Sequence, residues 1–403
     1  MGRKPNKRLI ALLACVSMAG PFAMQIYLPA LPVVRESFGV SVALAQLSLS
    51  ISVLALAPAV LIYGPLADRY GRRPILVAGL TVFLLGSVAC ALSPNIWWLI
   101  AGRTVQAVGG ASGLVVARAI VTDLYAPGQV ARMFATLTMA MIVGPTVAPL
   151  LGGFLTDQLG WRSVFVVVSL FGAGLVWLTH IALEETARRS HDGGGLGGIL
   201  KGFGRLAARP VFFAYALQTS FSIAVYYTFI SAAPYIMVSI LDRPPTEYGL
   251  YFLLLSFGYF VGNLVTARIS GRVGGDRMIL AGAVTSVVFA CVALFAALTL
   301  EWSPIVFFGP MMFLAFSFGL SAPNSHAMAL GAVPDATGTA SSTVGFLQQA
   351  LGAVVIQSIG FLLHDTPYPM LVFMLVGTLL SLTCISAAIG YKRREKSHGA
   401  SAV

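Results

Sequence analysis

Residues 64–74 read GPLADRYGRRP, a short hydrophilic segment between two long apolar runs. Gly64, Pro65 and Gly71 suit a tight turn between two helices, because glycine tolerates unusual backbone angles and proline presets a turn. The three arginines of this segment are typical of a loop on the cytoplasmic side of a membrane. Neither the turn nor the topology explains Asp68, an acid among basic residues. This loop is therefore a candidate functional element.

The chain on either side of this loop is strongly apolar. Over 403 residues it is 58% hydrophobic and 10% charged, with a mean hydropathy of +0.87, whereas soluble domains carry about 25% charged residues. A membrane-spanning helix needs about 20 apolar residues. Twelve stretches meet this requirement, at residues 9–31, 45–64, 75–93, 97–118, 133–155, 163–183, 211–236, 248–267, 278–299, 304–330, 339–363 and 369–390. The sequence predicts an all-α polytopic membrane protein with twelve transmembrane helices.

Charge placement predicts the orientation. Basic residues precede the first apolar run, but that run is longer than the roughly 7–15 residues of a signal-peptide core, so we expect a retained first helix. With twelve spans that start in the cytoplasm, most Lys and Arg fall inside, and only Arg35, Arg162 and Arg243 fall outside. We therefore expect both termini in the cytoplasm. The same asymmetry accounts for the net charge of +11, so nucleic acid is not an expected partner.

A glycine-rich, charged segment at residues 184–210 divides the spans six and six. We predict an N-terminal bundle at 1–183, a cytoplasmic linker at 184–210 and a C-terminal bundle at 211–403. The stretch SGRVGGDRM at 270–278 is a degenerate counterpart of the 64–74 loop, at the equivalent place in the second half. Two pseudo-symmetric six-helix bundles are typical of transporters that open a central site alternately to each side.

The loop at 64–74 predicts a cytoplasmic gate made of Gly64, Asp68, Arg72, Arg118 and Asp123. Asp123 could pair with Arg72, and Asp68 could face the helix N-terminus at residues 337–339. The alternative is that these are solvated loop charges, worth ~0–1 kcal/mol.

The sequence as a whole resembles a known family. GPLADRYGRRP resembles the loop signature of the major facilitator superfamily. Together with YLPALP at 27–32, ARAIVTDLY at 117–125 and FISAAPYIM at 229–237, it resembles the Bcr/CflA drug-exporter family. This resemblance implies a proton-driven exporter of small amphipathic compounds in a bacterial inner membrane. It also implies that the first, fourth, seventh and tenth helices line a central cavity.

The fourth helix carries GRTVQAVGGAS at 102–112, which matches the family's arginine motif. An arginine inside a span costs at least ~2.5–3.5 kcal/mol, so Arg103 should face a cavity or a partner. The alternative is that its head reaches the outer interface. Gln106 lies one turn away on the same face and is expected to share its environment. Gly109, Gly110 and Gly113 are expected to allow close helix packing.

The fifth helix carries GPTVAPLLGG at 144–153, which resembles the antiporter motif. Pro145 and Pro149 bend a helix. The small residues are expected to form a seam against a matching face of the eighth helix at Gly258 and Gly262. The alternative is a merely kinked helix. The residues assigned to this helix-packing motif are Gly144, Pro145, Pro149, Gly152 and Gly153.

Gln25 departs from the family, which usually has an aspartate at that place. A membrane carboxylate is the natural proton carrier, and all 14 acids of this chain fall in loops or at helix ends. Protons could act on Asp68 and Asp123, or His326 could titrate near neutrality, or coupling could be absent. Gln25 itself could contact a neutral substrate, contact Arg103, or form an interhelical bond worth ~0.6–2 kcal/mol.

Other polar and aromatic residues complete the predicted cavity. Tyr227 and Ser231 share a face of the seventh helix, beside Gln218 and Tyr226, and suit amphipathic ligands of varied shape. The cavity is assigned Gln25, Tyr27, Arg103, Gln106, Tyr227, Ser231 and Asn324. Pro29 and Pro32 are expected to end the first helix.

The remaining reactive residues predict no enzyme. Four cysteines fall within apolar runs and are interpreted as small buried hydrophobes, and five histidines form no metal spacing. No cofactor and no metal are expected. We predict a monomeric exporter of small amphipathic drugs whose partners are its substrate, protons and the lipid bilayer. The alternative is export or facilitated diffusion of a native metabolite without proton coupling through the first helix.

Overall fold

The computed structural model describes residues 7–125, 127–186, 206 and 209–400. Within them, twelve helices are long and apolar enough to cross a membrane, which confirms the predicted fold. We number these spans in chain order. The first six comprise the helices Lys7–Tyr27 with Leu31–Phe38, Val42–Tyr70, Arg72–Ala91, Ile96–Leu124, Pro127–Leu159 and Arg162–Ala182. The last six comprise Pro210–Tyr235 with the π-helical Ile236–Ile240, Pro245–Val273, Gly275–Thr299, Pro304–Gly331, Thr337–Leu362 and Tyr368–Ala400.

The first span corrects one expectation. Pro29 and Pro32 do not end the helix: a 3₁₀ turn at Leu28–Ala30 leads into a further α-helix that ends at Phe38. Each proline lies at the start of its new segment, where proline's fixed φ fits and its missing N–H is not needed. The prolines therefore change the winding of the span without stopping it.

Equivalent loops in the two halves use the same turn device. Gly71 has φ +106° between the second and third spans, and Gly274 has φ +90° between the eighth and ninth. Side chains disfavour this backbone region, so glycine permits one helix to end and the next to begin within a residue. The internal repeat therefore extends to backbone geometry.

Contacts divide the chain into two units. The first is Met1–Gly195 with Met237–Leu250, and the second is Leu196–Ile236 with Tyr251–Val403. In the first unit the third span packs on the fourth and sixth, and the first packs on the fifth. In the second unit the ninth span packs on the tenth and twelfth, and the seventh packs on the eleventh. Residues 187–205 of the predicted linker lie outside the described residues.

The cysteines follow the sequence analysis only in part. Cys90 is buried, and Cys15 and Cys384 are half-buried, but Cys291 is exposed on the ninth span. A sulfhydryl is apolar enough to face lipid as well as protein. Hydropathy alone therefore could not show that Cys291 lies on the surface of its span.

Candidate substrate site and charged loop cluster

Arg103 is buried in the first unit, with 3% of its surface exposed. Its Nη1 donates to the carbonyl oxygen of Ala23 at 3.2 Å and to Oε1 of Gln106. The guanidinium lies over the ring of Tyr27, with Cζ 4.7 Å from the centroid. This contact stabilises a cation through the ring quadrupole. The burial rules out the alternative in which the head of Arg103 reaches the outer interface.

Gln106 links this arginine to the third span. Its Nε2 donates to Ser87 Oγ at 2.8 Å, and Ser87 Oγ donates to the carbonyl oxygen of Phe83 at 2.7 Å. Tyr27 shares a 2.8 Å hydrogen bond with Ser48 of the second span. The structure thus places Arg103, Gln106 and Tyr27 together, as the sequence analysis expected, and adds Ser87 and Ser48. No sequence signal singled out these serines, because serine is common in membrane spans.

Close backbone contact between the third and fourth spans makes this network possible. A Cβ atom on Gly109 would lie 2.2 Å from the backbone nitrogen of Phe83, and one on Gly86 would lie 2.4 Å from that of Gln106. On the opposite side, a Cβ on Gly113 would meet the carbonyl oxygen of Val16 at 2.2 Å. These glycines let helix backbones touch, so they position Arg103 and do not bind a ligand themselves.

Gln25 lies on the other side of the first span. Ala23 and Tyr27 are four residues apart and both contact the guanidinium. Because an α-helix turns about 100° per residue, Gln25 between them points away from that face. The amide that binds Arg103 comes from Gln106. Gln25 is 5% exposed and therefore lies inside the protein.

The second unit holds a neutral polar network around the seventh span. Tyr227 donates its hydroxyl to Gln349 Oε1 at 2.7 Å, and Gln348 Nε2 donates to Thr219 Oγ1 at 3.1 Å. Both glutamines belong to the eleventh span. Sequence reasoning missed them, although two adjacent amides within an apolar run were a signal. Ser231, the other residue of the predicted face, is fully buried and donates to the carbonyl oxygen of Thr228 at 3.0 Å.

Gln218 is the centre of a second neutral cluster. Ser325 of the tenth span donates to its Oε1, and its Nε2 donates to Ser222 and Ser381 at 3.1 Å each. Ser222 and Ser381 are themselves 2.9 Å apart. The cluster joins the seventh, tenth and twelfth spans without any charged group.

Asn324 and His326 lie beside Ser325 in sequence. Asn324 accepts from Ser270 of the eighth span at 2.7 Å and donates to the carbonyl oxygen of Leu320 at 2.8 Å. Its amide is therefore engaged with the eighth span and its own helix. His326 is half-buried.

The loop between the second and third spans forms an ion cluster. Arg72 Nη1 lies 2.5 Å from Asp68 Oδ1, and Arg72 Nε lies 2.9 Å from Asp123 Oδ2. The expected pair between Arg72 and Asp123 is present, and Asp68 is held by the same arginine. Arg118 is exposed and its guanidinium lies 4.0 Å from the sulfur of Met141. It does not join the ion cluster formed by Asp68, Arg72 and Asp123.

Glu185, just after the sixth span, adds a contact that sequence reasoning missed. Its carboxylate accepts from the backbone nitrogens of Arg72 at 2.9 Å and Arg73 at 3.3 Å. These are N–H groups of a helix's first turn, which lack partners within the helix. Arg73 also donates to the carbonyl oxygen of His180 at 2.7 Å. An acid at the end of a span was the only signal for this role.

The second unit ties the equivalent spans through opposite charges. Asp276, in the first turn of the ninth span, accepts from Lys392 Nζ at 3.1 and 3.2 Å and from the Tyr215 hydroxyl. Lys392 belongs to the last helix. The third and sixth spans, and the ninth and twelfth, are thus joined near helix ends in both halves.

The fifth span contacts two partners through its small residues. A Cβ on Gly152 would lie 2.0 Å from the carbonyl oxygen of Ile26, and one on Gly144 would lie 2.7 Å from Met18 Sδ. Both partners belong to the first span. A Cβ on Gly153 would lie 2.4 Å from the carbonyl oxygen of Pro245, at the start of the eighth span.

The prediction that Gly258 and Gly262 of the eighth span pack against the fifth span was wrong. Cβ atoms on Gly258 and Gly262 would meet the carbonyl oxygens of Met312 and Phe316 at 2.0 and 2.2 Å. These two glycines therefore pack on the tenth span. The glycine of the eighth span that meets the fifth span is instead Gly249, whose Cβ would lie 2.4 Å from Leu150 Cα.

Asp157 completes the contact between the fifth span and the start of the eighth. Its Oδ2 accepts from the Thr246 backbone nitrogen at 2.8 Å and from the Thr246 hydroxyl. A carboxylate at this position caps the first turn of the eighth span.

Comparison with known proteins identifies the family. The Major Facilitator Superfamily model matches residues 13–357. The bicyclomycin resistance protein homolog of Haemophilus influenzae is 27% identical over 392 residues, 97% of this chain and 98% of that protein. Multidrug resistance protein D of Escherichia coli is 27% identical, over 91% of each chain. These relatives confirm the resemblance to Bcr/CflA-type drug exporters.

The fold is also that of a solved transporter. The inward-facing, unoccupied structure of a bacterial homolog to the human lysosomal transporter Spinster superposes with a TM-score of 0.73 at 18% identity, covering 96% of each chain. With the family model matched across most of its length, this multi-pass membrane chain belongs to the Major Facilitator Superfamily.

Proposed function

We propose that this protein exports small amphipathic, drug-like compounds from the bacterial cytoplasm by alternating access, in exchange for protons. The chain is a transporter of the superfamily, and relatives at about 27% identity are named for drug resistance. The observation that carries the proposal is Arg103, a buried charged side chain of the fourth span that contacts Tyr27 and Gln106. Such a residue marks a substrate or ion pathway in a membrane protein.

Each unit, taken by itself, carries aromatic and hydrogen-bonding side chains that suit such a substrate. In the first unit we assign Tyr27, Arg103 and Gln106 to the substrate site, and Gln25, on the opposite face of the first span, as a separate contact. In the second unit the site comprises Tyr227, Ser231 and the amides around them, and Asn324 is kept as a peripheral member because its amide is engaged elsewhere. Aromatic surface with a few hydrogen-bonding groups suits ligands that vary in shape.

The ion cluster of Asp68, Arg72 and Asp123 is proposed as the cytoplasmic gate. One arginine holds two carboxylates from two spans, at 2.5 and 2.9 Å. Protonation of either acid would weaken the cluster, so these acids and His326 are the candidate proton sites. This arrangement requires both termini in the cytoplasm, as the charge distribution predicts.

A second function is favoured by Gln25. The resemblance to Bcr/CflA exporters implies an acid at this place, and the amide of Gln25 cannot carry a proton. The second candidate is therefore transport of a native metabolite without proton coupling through the first span.

Transport in reconstituted vesicles with and without an imposed pH gradient tests the proposal. Proton exchange predicts substrate accumulation only when the gradient is present, and gradient-independent equilibration supports the second candidate. Drug susceptibility on deletion and overexpression separates the substrate classes, because an unchanged panel would contradict export of drugs.

A further inference from the structure

We propose that the substrates of this transporter are anionic amphipaths, such as aromatic carboxylates and sulfonates. This inference rests on the proposed export function and names the charge of what that site carries. It comes from the balance of charges along the fourth span.

The fourth span carries two arginines without acidic partners. Arg103 is surrounded by the Ala23 carbonyl, the Gln106 amide and the Tyr27 ring, and its Nε makes no hydrogen bond. Arg118 has only the sulfur of Met141 at 4.0 Å. Within the described part of the chain, no carboxylate lies within ion-pair distance of either guanidinium. Both remain charged, because arginine keeps its proton in proteins.

The acids of the protein lie elsewhere. Each Asp and Glu whose backbone the structure describes is in a loop or within two turns of a helix end. Several are already engaged: Asp68 and Asp123 with Arg72, and Asp276 with Lys392. The position where an acid could have faced the substrate from the first span holds Gln25.

The polar groups in the middle of the second unit are neutral. The two clusters described above, around Gln218 and around Tyr227, are made of hydroxyl and amide groups. They donate and accept equally and add no charge. Among the polar groups described in the two units, the charge that no acid balances therefore lies on the fourth span, at Arg103 and Arg118.

The positive field of these arginines decides the substrate class. At an effective dielectric constant near 20, an anion about 8 Å from a guanidinium binds roughly thirty times more tightly than a neutral analogue. A cation at the same distance binds more weakly by the same factor. Contact with the buried Arg103 is not needed. Arg118 lies 15 residues further along the helix, about 22 Å away, and its exposed head can meet a substrate nearer the helix end.

An anionic substrate also explains how export proceeds without a carboxylate in the first span. A membrane potential that is negative inside favours outward movement of an anion, because the substrate carries the charge across the field. The cell's own potential then supplies a driving force whether or not protons are exchanged.

The test uses three fluorescent compounds that differ only in charge: dansylglycine (anion), dansylglycinamide (neutral) and dansylethylenediamine (cation). Initial uptake into proteoliposomes and binding by fluorescence anisotropy are measured for each. We expect at least tenfold faster uptake of the anion than of the cation. With valinomycin and tenfold more potassium outside, the interior becomes positive, and a monoanion carried alone should accumulate up to about tenfold.

Variants locate the preference. Arg103→Gln should lower anion uptake at least tenfold with little change for the neutral compound, and Arg103→Lys should retain most of the preference. Arg118→Gln is the second variant, because Arg118 is exposed whereas Arg103 is buried, and it should lower anion uptake severalfold. Arg243→Gln removes a half-exposed loop charge, 3.9 Å from Glu247, and should leave all three rates unchanged.

The results test the anion preference and the export function separately. Equal or faster cation uptake by the wild type overturns the anion preference while leaving export intact. Anion-selective binding without uptake of any compound overturns export and supports the charge preference. A preference that survives in both arginine variants overturns its assignment to the fourth span. Failure to bind or carry any of the three overturns both.

Discussion

The carboxylate of Glu185 accepts a hydrogen bond from the backbone nitrogen of Arg72 at 2.9 Å, so the end of the sixth span caps the start of the third. The second half joins the twelfth span to the start of the ninth, with Lys392 bound to Asp276 at 3.1 Å. The acid thus comes from the segment just after the sixth span in one half, and from the first turn of the ninth span in the other. Both halves therefore join the equivalent spans, but through a carboxylate on backbone N–H groups in the first half and through an ion pair in the second.

Removing the carboxylate of Glu185 should loosen this connection. Glu185→Ala leaves the first-turn N–H groups of the third span without their acceptor, at a cost of about 1 kcal/mol. Hydrogen exchange of the amides of Arg72 and Arg73 should become faster, while amides inside the same helix keep their rates. Glu185→Gln retains an acceptor oxygen and is the matched control. Unchanged exchange in Glu185→Ala would mean that water replaces the cap without loss.

The ion pair between Arg72 and Asp123 should couple in a double-mutant cycle. Arg72→Gln, Asp123→Asn and the double variant are compared by thermal unfolding in detergent, and we expect a coupling free energy of about 1 kcal/mol. Transport should fall about tenfold in each single variant if the pair acts as a gate. The exposed pair of Arg243 with Glu247, at 3.9 Å, should show no coupling and serves as control. Zero coupling with normal transport would reduce the cluster to solvated charges.

Gly109→Ala should destabilise the first unit. The new methyl group would lie 2.2 Å from the Phe83 backbone nitrogen, and backbone cannot move aside as a flexible side chain can. We expect a loss of about 1–3 kcal/mol or more in the free energy of unfolding, with reduced yield of folded protein. Gly174→Ala in the sixth span meets nothing within 4 Å and should be neutral or slightly stabilising. Equal stability of the two variants would contradict the described contact between the third and fourth spans.

Tyr227→Phe should test the polar network of the second unit. It removes the 2.7 Å bond to Gln349 and leaves that amide oxygen without its donor, at a cost of about 0.5–1.5 kcal/mol. If this face also meets substrate, KM for the compound carried best should change severalfold while kcat changes little. Gln349→Leu in the Tyr227→Phe background should recover stability without restoring KM. Recovery of both would make the pair purely structural.

Hydropathy predicted the twelve spans because the cost of burying charge in lipid acts on every residue of a span. The ion pair of Arg72 was predictable because both partners lie at ends of adjacent spans. The packing faces formed by small and apolar residues were not predictable. Lipid and protein interior are equally apolar, so apolar periodicity cannot show which side of a helix meets protein. The glycines at 258 and 262 were therefore assigned to the wrong neighbour.

The position of Gln25 separates the two proposed driving forces. Gln25→Asp places a titratable carboxylate in the first span, on the side away from Arg103, whereas Gln25→Asn has the same shape and cannot titrate. If protons normally reach this position, Gln25→Asp should make the initial rate of transport depend on pH in a way that neither the wild type nor Gln25→Asn shows. The carboxylate also reduces the positive field, so uptake of the cationic dansyl compound should rise relative to the anionic one.

Rates are measured at matched internal and external pH, in steps, without an imposed gradient. Identical pH profiles for all three proteins would place Gln25 off the proton pathway, and an unaltered charge preference would mean that this face of the first span does not meet the substrate.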